Sequence, residues 1–369
     1  MNTPMHGGLG IYIHVPFCAV KCGYCSFCSF PYTSSAAAGF VDAVIRNLKH
    51  YSDKGRPVDS VYFGGGTPSL LRAGQIEDIM SELHRSFVLS ENAEVTLEAN
   101  PGTLSRDRIN GYLSAGINRL SIGVQSLDDE ELKLLGRTHS AERAVKAVYE
   151  AADCGFSNIS CDIMLALPGQ TTDQLDKTIS GLTELPLQHI SAYILKIEDG
   201  TAFFSRGVQR LLPSDELTAE MYLHMVRRLG ESGFQQYEVS NFSLPGYESR
   251  HNCRYWMLED YIGIGPSAHS CCYGRRFAVP DDIEDFTKSN AQREYITEDT
   301  PGTAEERIML SLRLRSGLQL SMLDDEDRER IEKKLPALEN AGYCVRNSDN
   351  ISLTPEGFLV SNSVISYLL

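Results

Sequence analysis

The segment Ile11-Tyr-Ile-His-Val-Pro-Phe17 runs directly into Cys18-Ala-Val-Lys-Cys22-Gly-Tyr-Cys25-Ser-Phe-Cys28. A short apolar run followed by this density of cysteine predicts a strand whose C-terminal loop is a metal site. Three thiolates separated by three and then two residues reach three corners of a compact iron–sulfur cluster, because so short a loop keeps the sulfurs on one side of the chain. The fourth iron then has no protein ligand. Other uses of these cysteines fit poorly. A disulfide framework belongs to small secreted chains, whereas this one has 369 residues and Met1 to Gly10 shows neither a basic n-region nor an apolar h-region. Structural zinc needs four closed ligands, typically from two separated knuckles, and only one cysteine cluster is present.

Outward from this segment, short β-branched or aromatic runs recur at Val61-Tyr-Phe63, Glu94-Val-Thr-Leu-Glu98, Arg119-Leu-Ser-Ile-Gly-Val124, Ile159-Ser-Cys-Asp-Ile-Met-Leu165 and His189-Ile-Ser-Ala-Tyr-Ile-Leu195. Between them, Phe40 to Tyr51, Gln75 to Phe87, Ala141 to Ala152 and Thr172 to Leu182 carry helical periodicity. With the opening strand these make six strand–helix units and an α/β fold: a partial (β/α)6 TIM-like barrel, periodicity alone leaving a doubly wound open sheet as the alternative. The notable residues fall at strand C-terminal ends, where barrel loops converge. The cysteine loop follows the first strand, Gly64-Gly-Gly-Thr-Pro68 the second, Glu98-Ala-Asn-Pro101 the third and Gln125 the fourth; Asp162 lies within the fifth, and Lys196-Ile-Glu198 ends the sixth. Three regions are expected: a barrel over 1–235, a connecting region over 236–300 and a smaller C-terminal domain over 301–369. In the last, helices over Thr303–Arg315 and Asp327–Ala341, a hairpin through Tyr343 to Leu353 and a final helix opened by Thr354-Pro-Glu resemble a winged-helix α+β module.

Composition narrows the partners. The chain is 42% hydrophobic and 22% charged, enough for a sizeable core, and no apolar run is long enough to span a membrane. With 34 basic against 49 acidic residues and a net charge of -15, no nucleic-acid partner is expected. Ten cysteines without an export signal predict a reducing cytoplasm.

The CxxxCxxC spacing of Cys18, Cys22 and Cys25, with Tyr24 before the last cysteine, resembles the radical S-adenosylmethionine (SAM) superfamily. That resemblance implies a 4Fe-4S cluster on these three cysteines whose open iron chelates SAM and reduces it to a 5'-deoxyadenosyl radical. It implies SAM contacts from Tyr12, Tyr24, Gly65, Gly66, Thr67, Glu98, Gln125, Arg137 and Asp162. Glu98 and Asp162 can accept from ribose hydroxyls or the amino group, and Arg137 can pair with the carboxylate. Read from residue type alone, each of these serves equally as a structural hydrogen bond, and the glycines as a tight turn.

A second signature lies far downstream: His251-Asn-Cys-Arg-Tyr255-Trp256, flanked by Arg250, then Tyr261-Ile-Gly-Ile-Gly-Pro-Ser-Ala-His269-Ser. HNxxYW with GxGxSAHS resembles the HemW-type haem chaperones, a branch of the oxygen-independent coproporphyrinogen oxidase family, and the resemblance runs from Ile11 to the C-terminus. It implies haem as cargo, an acceptor protein that can be membrane-associated, and a reductant for the cluster. An imidazole can ligate haem iron axially and guanidinium groups can bind propionates. His251 is therefore the expected axial ligand, with Cys253, Tyr255 and His269 as rivals, and Arg250, Arg254, Arg275 and Arg276 as candidate propionate clamps. The plainer alternative is that His251 and Trp256 pack a domain joint.

Two function classes share this barrel: a haem carrier, and an enzyme that oxidatively decarboxylates coproporphyrinogen III. Phe27 separates them, since the oxidases resemble CxxxCxxCxC with a cysteine at that position. HNxxYW and a start close to the first strand also favour the carrier. Ser26 and Cys28 depart from the branch, where an acidic residue and asparagine are usual. Cys28 is expected to be a bystander thiol, its rival role being capture of the fourth iron.

Overall fold

The computed structural model describes residues 7–369; the leader reading over Met1 to Gly10 therefore falls largely outside the described residues. Strands Leu9–Val15, Asp53–Gly65, Phe87–Ala99, Arg119–Gln125, Ile159–Leu165 and His189–Ile194 pair in parallel in sequence order, giving the six units expected. A seventh parallel strand, Tyr261–Ile264, joins the outer edge of the first. Antiparallel strands His269–Cys272, Arg275–Ala278 and Tyr295–Glu298 extend that edge, and Asn241–Ser243 extends the other beyond the sixth strand. Residues 236–300 thus supply strands to both ends of the barrel sheet instead of standing apart as a connector.

Alternation along the strands separates a barrel from a doubly wound sheet. Ile11, Ile13, Val61, Phe63, Leu97, Leu120, Ile122 and Ile163 are buried in the core that the helices cover. The intervening positions are polar: Ser60 and Tyr62, Thr96 and Glu98, Arg119 and Ser121, Ser160 and Asp162, His189 and Ser191. Parallel sheets covered by helices on both faces carry apolar side chains on both. Here the second face is a polar lining that bonds to itself across strands, as in Tyr62 to Glu98, Ser121 to Asp162 and Ser160 to His189.

The helices begin and end where local chemistry sets them. Thr33, Ser140 and Thr171 accept backbone N–H bonds at the starts of Ser34–His50, Ala141–Cys154 and Thr172–Thr183, the last completed by Gln174 as a capping box. Two further helices, Arg106–Ser114 and Asp129–Leu135, also lie between strands. Beyond the barrel, Ala304–Ser311, Asp325–Asn340 and the hairpin Cys344–Asn347 with Asn350–Leu353 are followed by Pro355–Leu359, capped by Thr354, and Ser361–Leu368.

Candidate functional site: the cysteine loop and the barrel mouth

The cysteine loop is tied off at its root. Phe17–Cys18 pairs with Phe30–Pro31, Phe30 N–H donates to Pro16 C=O at 2.7 Å and Tyr32 N–H to Cys18 C=O at 3.2 Å. The glycine turn after the second strand presses against this root: Gly66 and Thr67 donate to the Val15 and Phe17 carbonyls, and a Cβ on Gly66 would come within 2.5 Å of the Phe17 carbonyl oxygen. Gly65 has φ +110°, a backbone that side chains rarely adopt. Thr67 Oγ1 then lies 3.8 Å from Cys18 Sγ.

Arg137 ties the loop to the barrel. Its Nη2 donates to Gly123 C=O at 2.7 Å and its Nη1 points at Cys22 Sγ at 3.5 Å, while its buried Nε has no protein partner. Gln125 stands beside it with a left-handed φ of 70°, an uncommon conformation for a side-chain-bearing residue and one that marks functional sites. Tyr24 packs edge-on against Phe203 at 6.2 Å, close to Arg137 and Cys22, and burial raises its phenol well above the usual range. Tyr12 bonds His14 Nδ1 at 3.0 Å and is likewise raised by burial.

Two carboxylates line the polar face. Glu98 accepts from Tyr62 OH at 2.9 Å and from Gly65 N–H at 3.2 Å, and Asp162 accepts from Ser121 Oγ at 3.0 Å. Both are half-buried. Desolvation, reinforced by the like charge of Asp162, pushes Glu98 up to about 7, and desolvation raises Asp162 as well. Lys196 and Glu198 pair with each other at 2.8 Å in exposed positions.

The loop suits a 4Fe-4S cluster with one open iron. Cys18, Cys22 and Cys25 are free, partly exposed thiols, and Cys25 is raised by burial and by the nearby Cys22 and Cys18. No three His, Cys, Asp or Glu side chains among the described residues surround a single ion; ligands to a cluster are instead spread over different irons. The unpartnered Arg137 Nε, with Gln125 and the two carboxylates, supplies the polar partners that an amino-acid nucleoside such as SAM requires.

On the other side of the loop, Ser26 to Phe30 form one wall of a cavity of about 830 Å3. Tyr12 and His14, Lys21, Tyr255 and Tyr261, and His269 line the remainder with Ser267 and Asp281. Cys28 faces this cavity, and Phe27 is 64% exposed beside it. His14, Lys21 and Asp281 carried no signature by which sequence reading selects site residues. The alternation of the first strand, which puts Tyr12 and His14 on one face, was the signal available for His14.

HNxxYW occupies a different place from the one expected. Helix Arg250–Trp256 plugs the barrel: Glu94 of the third strand accepts from the Arg250 and His251 N–H groups, and His251 is fully buried. His251 Nδ1 bonds Ser60 Oγ at 3.0 Å and Nε2 bonds Tyr255 OH at 2.9 Å, with the ring stacked near Tyr12 and Tyr62. Desolvation, with Arg254 nearby, pushes this imidazole down to about 3. An axial role for His251 does not fit this packing, because both nitrogens are used inside the protein. Arg254 is equally committed, to Asp59, Glu259 and the Gly8 and Asp260 carbonyls. Arg250 donates to Asn92 C=O and Arg276 pairs with Glu298 and Glu306, so neither is a free propionate clamp, and Arg275 does not line the cavity.

A parallel barrel presenting this three-cysteine loop defines a radical SAM protein, and residues 12–181 match the model of the Radical SAM superfamily; residues 303–360 match that of the HemN C-terminal domain. The chain is 33% identical over 97% of its length to "Heme chaperone HemW" of Lactococcus lactis, covering 96% of that protein, and 35% identical over its whole length to the Mycobacterium tuberculosis protein of the same name, covering 96% of it. Among solved structures, coproporphyrinogen III oxidase (HemN) from Escherichia coli superposes with a TM-score of 0.83 at 23% identity, over 98% of this chain and 90% of that one, a likeness of fold. The chain belongs to the HemW family within the radical SAM superfamily.

Proposed function

We propose that this protein binds haem and passes it to an acceptor protein, with a 4Fe-4S cluster and SAM held at the barrel mouth. The observation carrying this reading is end-to-end similarity to relatives named as haem chaperones. The local geometry agrees: Phe27 stands at the position where a further cysteine accompanies the oxidases, and it borders a cavity whose volume lies within the roughly 300–1,000 Å3 usual for ligand sites. Cys18, Cys22 and Cys25 are the residues to hold the cluster; Gly65, Gly66 and Thr67 shape its floor, and Glu98, Gln125, Arg137 and Asp162, with Tyr12 and Tyr24, are those to orient SAM. When bound, cluster and SAM supply one-electron chemistry at the wall of the cavity.

The acceptor, membrane-associated or not, and the reductant belong to this proposal, as does a cytoplasmic location suggested by ten free cysteines. No helix among the described residues is long and apolar enough to cross a membrane. The competing activity, oxidative decarboxylation of coproporphyrinogen III, draws on a fold likeness alone. Anaerobically reconstituted protein incubated with haem and, separately, with coproporphyrinogen III, SAM and reductant distinguishes the two. Stoichiometric haem binding without protoporphyrinogen formation is expected; decarboxylated product overturns the proposal.

A further inference from the structure

We infer that haem sits in the cavity beside the cysteine loop with His269 as its axial ligand and Lys21 toward its propionates, an assignment resting on the haem-binding reading above.

Three histidines lie at or next to this cavity, and they differ in freedom. His251 has both ring nitrogens bonded and is fully buried. His14 is 5% exposed, with Nδ1 bonded to Tyr12 OH at 3.0 Å and Nε2 near Cys28 C=O at 3.3 Å. His269 is exposed, lines the cavity and makes no hydrogen bond to another described residue through its ring. An imidazole must offer a free nitrogen lone pair to bind iron. His269 alone of the three does so without breaking packing.

GxGxSAHS acts as a buckle that fixes this residue. Gly263 lies so near the His269 backbone that a Cβ would fall 2.1 Å from its carbonyl oxygen, and Gly263 N–H donates to Ser270 Oγ at 2.9 Å. His269 opens the strand His269–Cys272, which is paired with Arg275–Ala278 on one side and with Tyr261–Ile264 on the other, so its ring is carried on a strand held within the sheet and not on a loose loop. Rigid placement of this kind lowers the cost of ligation.

The remaining lining suits a flat macrocycle carrying acids. Tyr261 and Tyr255 stack edge-on at 4.6 Å, and Phe27 adds an exposed ring to the lining. Lys21 is the cavity's one ammonium and uses a single donor internally, to Phe27 C=O at 3.2 Å. The tyrosines are poor rival ligands: burial raises Tyr255 far above its usual range and Tyr261 to about 12, against the phenolate that iron ligation needs. Cys28 is the rival that geometry leaves.

Titration of the full, anaerobically reconstituted chain with ferric haem tests the assignment. The wild type should bind one haem with the electron paramagnetic resonance of an imidazole-ligated iron, read without any variant. His269→Ala should weaken affinity by at least about tenfold and shift the Soret band, with cluster absorption unchanged and added imidazole restoring the band; Cys28→Ser should match wild type. A thiolate signature in the wild type, or His269→Ala with unaltered band and affinity, overturns the inference while leaving haem binding intact. Absence of stoichiometric haem uptake by the wild type overturns both.

Discussion

Glu98 is a residue whose charge state the fold controls, since its surroundings favour the neutral acid. Its folded-state value of about 7 lies above the ordinary 4.5. Between these two values the folded protein keeps a proton that the unfolded chain has released, so Glu98 lowers stability as pH rises from about 4.5 through about 7. Glu98→Gln cannot ionise and still accepts from Tyr62 or Gly65. It should match wild type near pH 5 and exceed it by about 1–2 kcal/mol at pH 8, measured by urea unfolding of SAM-free protein at both values. His251 makes the opposite case, a residue whose worth is packing. Its removal empties a fully buried site and strands Ser60 and Tyr255. His251→Ala should therefore cost about 2–4 kcal/mol in unfolding free energy, while haem bound to the folded fraction keeps the wild-type Soret position. The sequence exposes Trp256 as the chain's one tryptophan, beside His251, but not which way the two face. A histidine on a plug helix and one on a binding wall share the same letters; only the partners contributed by the second strand and by Tyr255 tell them apart.

At the scale of elements, the cysteine loop is held from two sides: below by the glycine turn and laterally by Arg137. Gly66→Ala places a methyl group against the Phe17 carbonyl, which is backbone and can yield only by moving the loop root. The variant should fold yet lose most of its cluster, read as iron and sulfide per chain after reconstitution. Arg137→Ala should leave the glycine turn intact, and cluster loading with it. It should raise the SAM dissociation constant at least about tenfold in equilibrium dialysis, since the charge-assisted contact offered by the free Arg137 Nε is removed. The loop was legible in the sequence because ligand spacing is local, and the six strands because β-branched runs alternate with helical ones. Tyr261–Ile264 was not legible as a seventh parallel strand: Gly263 and Gly265 interrupt the apolar pattern and read as a turn, and it pairs with a first strand some 250 positions earlier. Long-range pairing of that kind leaves no periodic trace. The cavity escaped for the same reason, its walls coming from the first strand, the cysteine loop and the hairpin after Tyr261.

Across the whole molecule, the barrel and the C-terminal elements share apolar contacts without a break: Met225 and Leu229 of the helix Asp215–Glu231 belong to the same core as Leu312, Leu335, Phe358 and Leu368. Backbone bonds cross the junction as well, with Arg315 N–H donating to Tyr237 C=O and Val239 N–H to Arg313 C=O, and Glu238 bridging Leu314. Domains that fold independently are joined by few contacts and melt separately. This chain has the opposite organisation, since strands from 236–300 close both sheet edges and the C-terminal helices cover the helix leading into one of them. Removing residues after 300 would uncover Met225 and Leu229 and take away the backbone partners that Tyr237 C=O, Glu238 and Val239 N–H find in residues 313–315. The full chain should accordingly show one calorimetric transition with van't Hoff and calorimetric enthalpies in agreement, and a chain ending at residue 300 should lose near-ultraviolet circular dichroism while keeping its helix signal. Two resolved transitions, or a truncated chain that reconstitutes its cluster like wild type, would show that the C-terminal elements are an appendage and not part of the barrel's cooperative unit.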